Sequence, residues 1–137
     1  MKSKKNIALL FVLILFFEFA FIGCGESNTV SNYIVSDQQY TERSDLESAT
    51  QPGQLTAGKN IYASVHFIES PKGMKYTAKW FINGKEVKTD NQKMPTDKRG
   101  TIVFSLEGNK VTTGTLIFEV SYDGDILLTK ELTVVEE

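Results

Sequence analysis

A single cysteine and a single histidine are the scarcest chemistry in this 137-residue chain. One Cys excludes an internal disulfide framework and any zinc cluster built from several thiolates. One His excludes metal motifs that need a pair of imidazoles. Charge of one sign is also missing, since 15 Lys and Arg stand against 17 Asp and Glu for a formal net charge of −2. That balance gives no footing for nucleic-acid binding. The sequence holds no G-x-S-x-G, phosphate loop, H-E-x-x-H or G-x-G-x-x-G. No enzyme, no cofactor, no metal site and no small-molecule substrate is expected from these absences.

Long apolar runs are missing too, with one exception at the start. Lys2, Lys4 and Lys5 precede residues 7–22, IALLFVLILFFEFAFI, which are apolar except for Glu18. A basic start followed by a short apolar run is the layout of a secretory signal peptide. Its 16 residues fall short of the roughly 20 that span a bilayer as a helix. Glu18 argues further against a permanent span, because a carboxylate at bilayer depth costs roughly 2.5 kcal/mol or more.

The run closes on Phe21-Ile22-Gly23-Cys24, which resembles the bacterial lipoprotein signal. In that family a small residue precedes a Cys that is lipidated and becomes the mature N-terminus. The resemblance implies a signal peptide over 1–23, lipidation at Cys24 and a chain anchored in a bacterial cell membrane on its extracytoplasmic side. A thioether-linked diacylglycerol with an N-acyl chain meets the requirement of about two signals for stable anchoring. Loss of residues 1–23 would leave 114 residues with 12 basic and 16 acidic side chains. That mildly acidic chain is expected to adhere to an anionic membrane through its lipid alone.

Residues 25–54 are dominated by Ser, Thr, Asn, Gln, Asp and Glu. Such a composition buries little surface and reads as a polar tether. As a flexible coil it would span roughly 30 Å, at about 5–6 Å × √n. Its later part, from about Arg43 to Leu55, is a candidate first edge strand.

From residue 57 the pattern alternates. Ile61, Ala63, Val65 and Phe67 form one series, and Tyr76, Ala78, Trp80 and Ile82 a second. Ile102, Phe104 and Leu106, then Leu116, Phe118 and Val120, then Leu128, Leu132 and Val134 complete five segments. A period of two marks strands with one buried face, and no helical period follows the leader. Asn83-Gly84 and Asp123-Gly124 suit type I′ hairpin turns.

These residues resemble an immunoglobulin-like β-sandwich of the kind carried by bacterial surface lipoproteins. The likeness rests on Lys79-Trp80-Phe81-Ile82-Asn83-Gly84, on residues 114–120 and on Leu132-Thr133-Val134. It implies an all-β domain over 55–137 with Trp80 in the inter-sheet core. Phe118, with Val65 or Phe67, would fill the place of the missing inter-sheet disulfide. The fold alone names no function.

Little on this frame carries chemistry. His66 falls on the outward face of its strand beside Ser64 and is expected to be solvated, with no nucleophile or orienting group near it. Asp123-Gly124-Asp125 supplies too few oxygens for calcium, which needs six to eight, and turn chemistry already explains it. The basic stretch 85–99 reads as a solvated loop or an edge strand guarded by lysines. Phe81, Ile117 and Leu127 are more distinctive, because they are expected on the outward face of one sheet. There they form a binding or self-association patch, or else lie under a loop or under tether residues 33–40.

The sequence therefore points to a lipid-anchored cell-envelope protein with a non-catalytic binding or structural module. Its partner would be the membrane, through Cys24, together with an envelope protein or polymer. The alternative is a protein inhibitor, or an accessory subunit of a membrane transport or assembly complex, acting through exposed loops at 88–99 or 108–114.

Overall fold

The computed structural model describes residues 29–137. The chain runs β1 (Val30–Ser36), α1 (Arg43–Ser48), β2 (Gln54–Thr56), β3 (Ile61–Ser70), β4 (Lys75–Ile82) and β5 (Lys85–Lys93). It continues with β6 (Lys98–Leu106), a single 3₁₀ turn (Gly108–Lys110), β7 (Gly114–Tyr122) and β8 (Asp125–Val135). One sheet has the order β1-β3-β6 and the other β2-β8-β7-β4-β5. All pairings are antiparallel except the short parallel contact of β2 with β8.

The alternating residues do what their period requires. Ala63, Val65 and Phe67, with Phe104 of the neighbouring strand β6, face Tyr76, Ala78, Trp80, Phe118 and Val120 in one buried cluster. Trp80 lies 4.6 Å from Phe118, ring to ring, and Phe104 of the other sheet lies 5.8 Å from Phe118. Phe67 stacks on Tyr76 at 4.1 Å. Burying an aliphatic or Phe side chain fully stabilises by roughly 1.5–3 kcal/mol, so this aromatic ladder is a principal source of stability. The indole Nε1 of Trp80 is buried without a hydrogen-bond partner among the described residues.

Both Asx-Gly turns take positive φ at each central residue, Asn83 52° with Gly84 83° and Asp123 52° with Gly124 89°. That is the I′ geometry whose twist matches the flanking strands. Asn83 also reaches across to the start of β7. Its Oδ1 accepts from Thr115 N at 3.0 Å, and its Nδ2 donates to Thr113 O at 3.2 Å.

Two expectations need correction. The tether does not run to residue 54, because Val30–Ser36 is a full strand paired with β3 from Phe67 to Tyr62. Its carriers are Ile34 and Val35, both buried. Arg43–Leu55 is not one edge strand but the six-residue helix α1 followed by β2. The helix escaped notice because it contributes a single buried residue, Leu46. The stretch from Lys85 to Lys93 is the edge strand β5 of the larger sheet, one of the two readings the sequence offered, although no apolar alternation marks it.

The three-stranded sheet has both edges closed by side chains. At β1 the Gln51 carboxamide accepts from Val35 N at 2.9 Å and donates to Val35 O at 2.7 Å. At β6 the Lys88 Nζ donates to Ser105 O at 2.7 Å, and Gln92 Nε2 donates to Val103 O at 3.1 Å. Unpaired strand edges invite pairing with other chains, so these contacts stand in for neighbouring strands.

Candidate functional site

Cys24 lies outside the described residues. Among the patch residues, Phe81 and Ile117 are direct cross-strand partners on the outer face of the five-stranded sheet, both half-buried. Leu127 does not join them. Ile117 faces Glu131 on β8, while Leu127 is the extra residue of a bulge between the pairs Val120–Leu128 and Ser121–Ile126. The bulge turns Leu127 toward the core, against which it packs. The apolar surface is thus one Phe–Ile pair flanked by Glu86 and Glu131 in register, with Lys79 and Glu119 beside it. Residues 33–40 do not cover it, since Tyr33–Ser36 are paired with β3 in the other sheet and Tyr40 N bonds Ser64 there.

His66 is not solvated, being 4% exposed, and Ser64 is fully buried. The alternation places them correctly on the outer face of β3, but the segment after β1 folds over that face. Tyr40 N donates to Ser64 Oγ at 2.9 Å, and α1 buries Leu46 there. His66 Nδ1 sits 2.9 Å from Thr101 Oγ1, and its Nε2 is buried without a partner among the described residues. Burial, then the positive charges of Arg43 and Arg99, hold the imidazole below its ordinary range against the opposing pull of Glu47. Thr101 orients the ring. Among the described residues no three His, Cys, Asp or Glu gather as a metal cluster would require.

The basic stretch 85–99 divides into strand β5, a short loop and the start of β6. Sequence reasoning missed one concave surface of the described residues. It is an open groove of about 700 Å³ between Lys72–Lys75 with Thr77 and the β7–β8 tip, Tyr122–Gly124. Tyr122 is 38% exposed on its wall, and its ring lies 5.8 Å from that of Tyr76. The loops are tied together behind it, with Gly73 N donating to Met94 O, Met94 N to Met74 O, and Lys72 N to Asp97 Oδ1. The Pro71-Lys72-Gly73 and Asp123-Gly124 turn signals mark its two sides in the sequence, but only the fold brings them to one end.

The sequence matches no protein-family model and no curated protein. Solved structures do resemble the fold. An immunoglobulin-like protein from Pseudomonas aeruginosa superposes with a TM-score of 0.53 at 13% identity, covering 79% of this chain and 95% of that one. A CARDB domain from Pyrococcus furiosus, solved in complex with di-metal ions, gives 0.43 at 11% identity over 80% and 97%. A β-glucosidase from Listeria innocua gives 0.44 at 13% identity over 63% of this chain and 15% of that enzyme. With its two facing sheets and its likeness to the Pseudomonas protein, the described chain is an all-β, immunoglobulin-like sandwich.

Proposed function

We propose that this is a lipid-anchored protein of the bacterial cell envelope, attached through Cys24, whose immunoglobulin-like domain is a non-catalytic binding or structural module facing away from the cytoplasm. The observation that carries the reading is positional. The chain's one Cys closes a basic-then-apolar leader, and a folded strand begins at Val30, six positions later. The Phe81–Ile117 pair and the groove beside Tyr122 are the two surfaces on which such a module would hold a partner. The test is metabolic labelling with an alkyne fatty acid in the native host. Label on the wild type and none on Cys24→Ala supports the anchor, and equal labelling of both contradicts it. Crosslinking in intact cells, with Phe81→Ser/Ile117→Lys as the comparison, tests the binding role: loss of captured partner with an unchanged melt supports it.

A further inference from the structure

Side chains close both edges of the three-stranded sheet, at Val35 and at Val103 with Ser105. One edge of the larger sheet is β5, which carries Lys85, Glu86, Lys88, Asp90 and Lys93. The opposite edge is different. There β2 covers only Thr133–Val135 of β8. Among the described residues no strand pairs with the outward main chain of Ile126–Leu132. That stretch reads ILLTKEL, and an uncovered apolar edge of this length invites a strand from another molecule.

Two features oppose such pairing. Leu127 is the extra residue of the bulge between Val120–Leu128 and Ser121–Ile126, and a bulge bends a strand away from an even ladder. The second is Lys130. It stands opposite Phe118, which is fully buried, and between Leu128 and Leu132, which are 8% and 6% exposed. A half-buried lysine thus occupies the core-facing row of an edge strand. It joins none of the ion pairs of the described residues. Lysine stems lie along apolar surface while the ammonium stays in water, and the open edge of β8 is where this ammonium reaches it.

A two-fold axis normal to the sheet would join two β8 strands antiparallel with both cores on one side. Core-facing residues then meet core-facing residues. Centred on Thr129, the pairing sets Lys130 against Leu128 of the second copy. Centred on Lys130, it sets two ammonium groups face to face. Centred on Glu131, it opposes two carboxylates and sets Lys130 against Leu132. Each register strips water from an unpaired ammonium or opposes like charges, and both are costly. An aliphatic residue at 130 removes that cost from the register centred on Thr129, where it would meet Leu128.

We propose that the Ile126–Leu132 edge of β8 is a strand-pairing surface for a second copy of this chain, and that Lys130 holds it shut. Lys130 is then the residue that keeps the domain monomeric. The proposal stands without the anchor at Cys24. With the anchor, copies share one membrane surface and meet at raised effective concentration, which is where such a guard matters.

The test is sedimentation velocity of residues 24–137 as Cys24→Ser, a chain that holds the whole sandwich and no thiol. This parent is expected to be monomeric. Lys130→Leu, with an unchanged melt, is expected to dimerise at about one tenth or less of the concentration the parent requires. Lys130→Glu keeps a core-facing charge and is expected to remain monomeric. A dimeric parent, a monomeric Lys130→Leu, or equal dimerisation of Lys130→Glu overturns the proposal. If Lys130→Leu precipitates, Lys130→Thr is read by the same criteria. A short bis-maleimide then locates the contact in the Lys130→Leu background. Thr129→Cys is expected to crosslink across the axis, and Thr89→Cys, on the β5 edge, is not. Crosslinking at Thr89 alone, or equally at both, overturns the assignment to β8.

Discussion

The Gln51 carboxamide holds both main-chain groups of Val35, accepting from its N–H at 2.9 Å and donating to its C=O at 2.7 Å. One side chain, sixteen residues along, does for a fully buried residue what a neighbouring strand would do. Gln51→Ala leaves a donor and an acceptor without partners at the β1 edge. A loss of about 1–3 kcal/mol is expected, read as a fall in Tm of about 4–8 °C per kcal/mol for a domain of this size. Gln51→Glu retains the acceptor but sets a carboxylate against the Val35 carbonyl, and is expected to be at least as damaging. A melt unchanged in both variants would show that the edge needs no closure.

The same logic explains β5. Its inward residues opposite Trp80, Ala78 and Tyr76 are Lys88, Asp90 and Gln92, so no apolar alternation exists to be read. Their polar groups serve the β6 edge instead. Lys88 also donates to Glu107 Oε2 at 2.8 Å. That bond is the main reason the Glu107 carboxyl lies below its ordinary value of 4.5. A depressed folded-state value means the interaction stabilises above pH 4.5 and fades as pH falls through the folded value. Lys88→Met is expected to abolish this component and to flatten the acid limb of Tm against pH. An acid limb identical to wild type would assign it elsewhere.

His66 gives a second window. Its folded-state value is below the ordinary 6.5, chiefly through burial and then through Arg43 and Arg99. The folded chain therefore binds the proton less readily than the unfolded chain, so stability declines as pH falls below about 6.5 and levels off under the folded value. His66→Gln is expected to remove the decline between neutral pH and the onset of the Glu107 effect. Urea melts across that range check it, and an unchanged slope would contradict a buried neutral imidazole.

The aromatic core supplies a larger effect. Trp80→Ala is expected to cost about 3–5 kcal/mol and to abolish cooperative unfolding. Trp80→Phe should be milder, because the indole Nε1 it removes has no partner to lose. Calorimetry separates them, and equal cooperativity in all three proteins would contradict the central place of Trp80.

Five strands were legible because each presents one apolar face to one core, and the two Asx-Gly turns because only a few residues tolerate positive φ twice in succession. β1 was hidden by burial on both faces: Ile34 and Ser36 lie under the α1 segment while Val35 joins the core, so the polar residues around them read as tether. His66 was misjudged for the same reason, since period two tells which face a residue takes but not what covers that face. Leu127 was misplaced because a bulge shifts every later residue by one, and nothing local marks it. The loop-end groove depends on contacts between segments about fifty residues apart, which no local pattern contains.

Gly114 illustrates how tightly the legible turns are held. It has φ 132°, and a Cβ there would collide with the Asn83 carboxamide that bonds Thr113 and Thr115. Gly114→Ala is expected to destabilise by about 1–3 kcal/mol, the usual magnitude of such backbone strain. Recovery in Gly114→Ala/Asn83→Gly would identify the collision as a cause. Equal melts of the single variant and wild type would contradict it.

Cys24 is the residue on which the proposed anchoring depends. Intact and fragment mass spectrometry of the protein extracted from its host membrane reads that residue directly. The expected result is a chain beginning at Cys24, carrying a diacylglycerol thioether and an N-acyl group. A chain that retains residues 1–23, or that carries an unmodified Cys24, would contradict it.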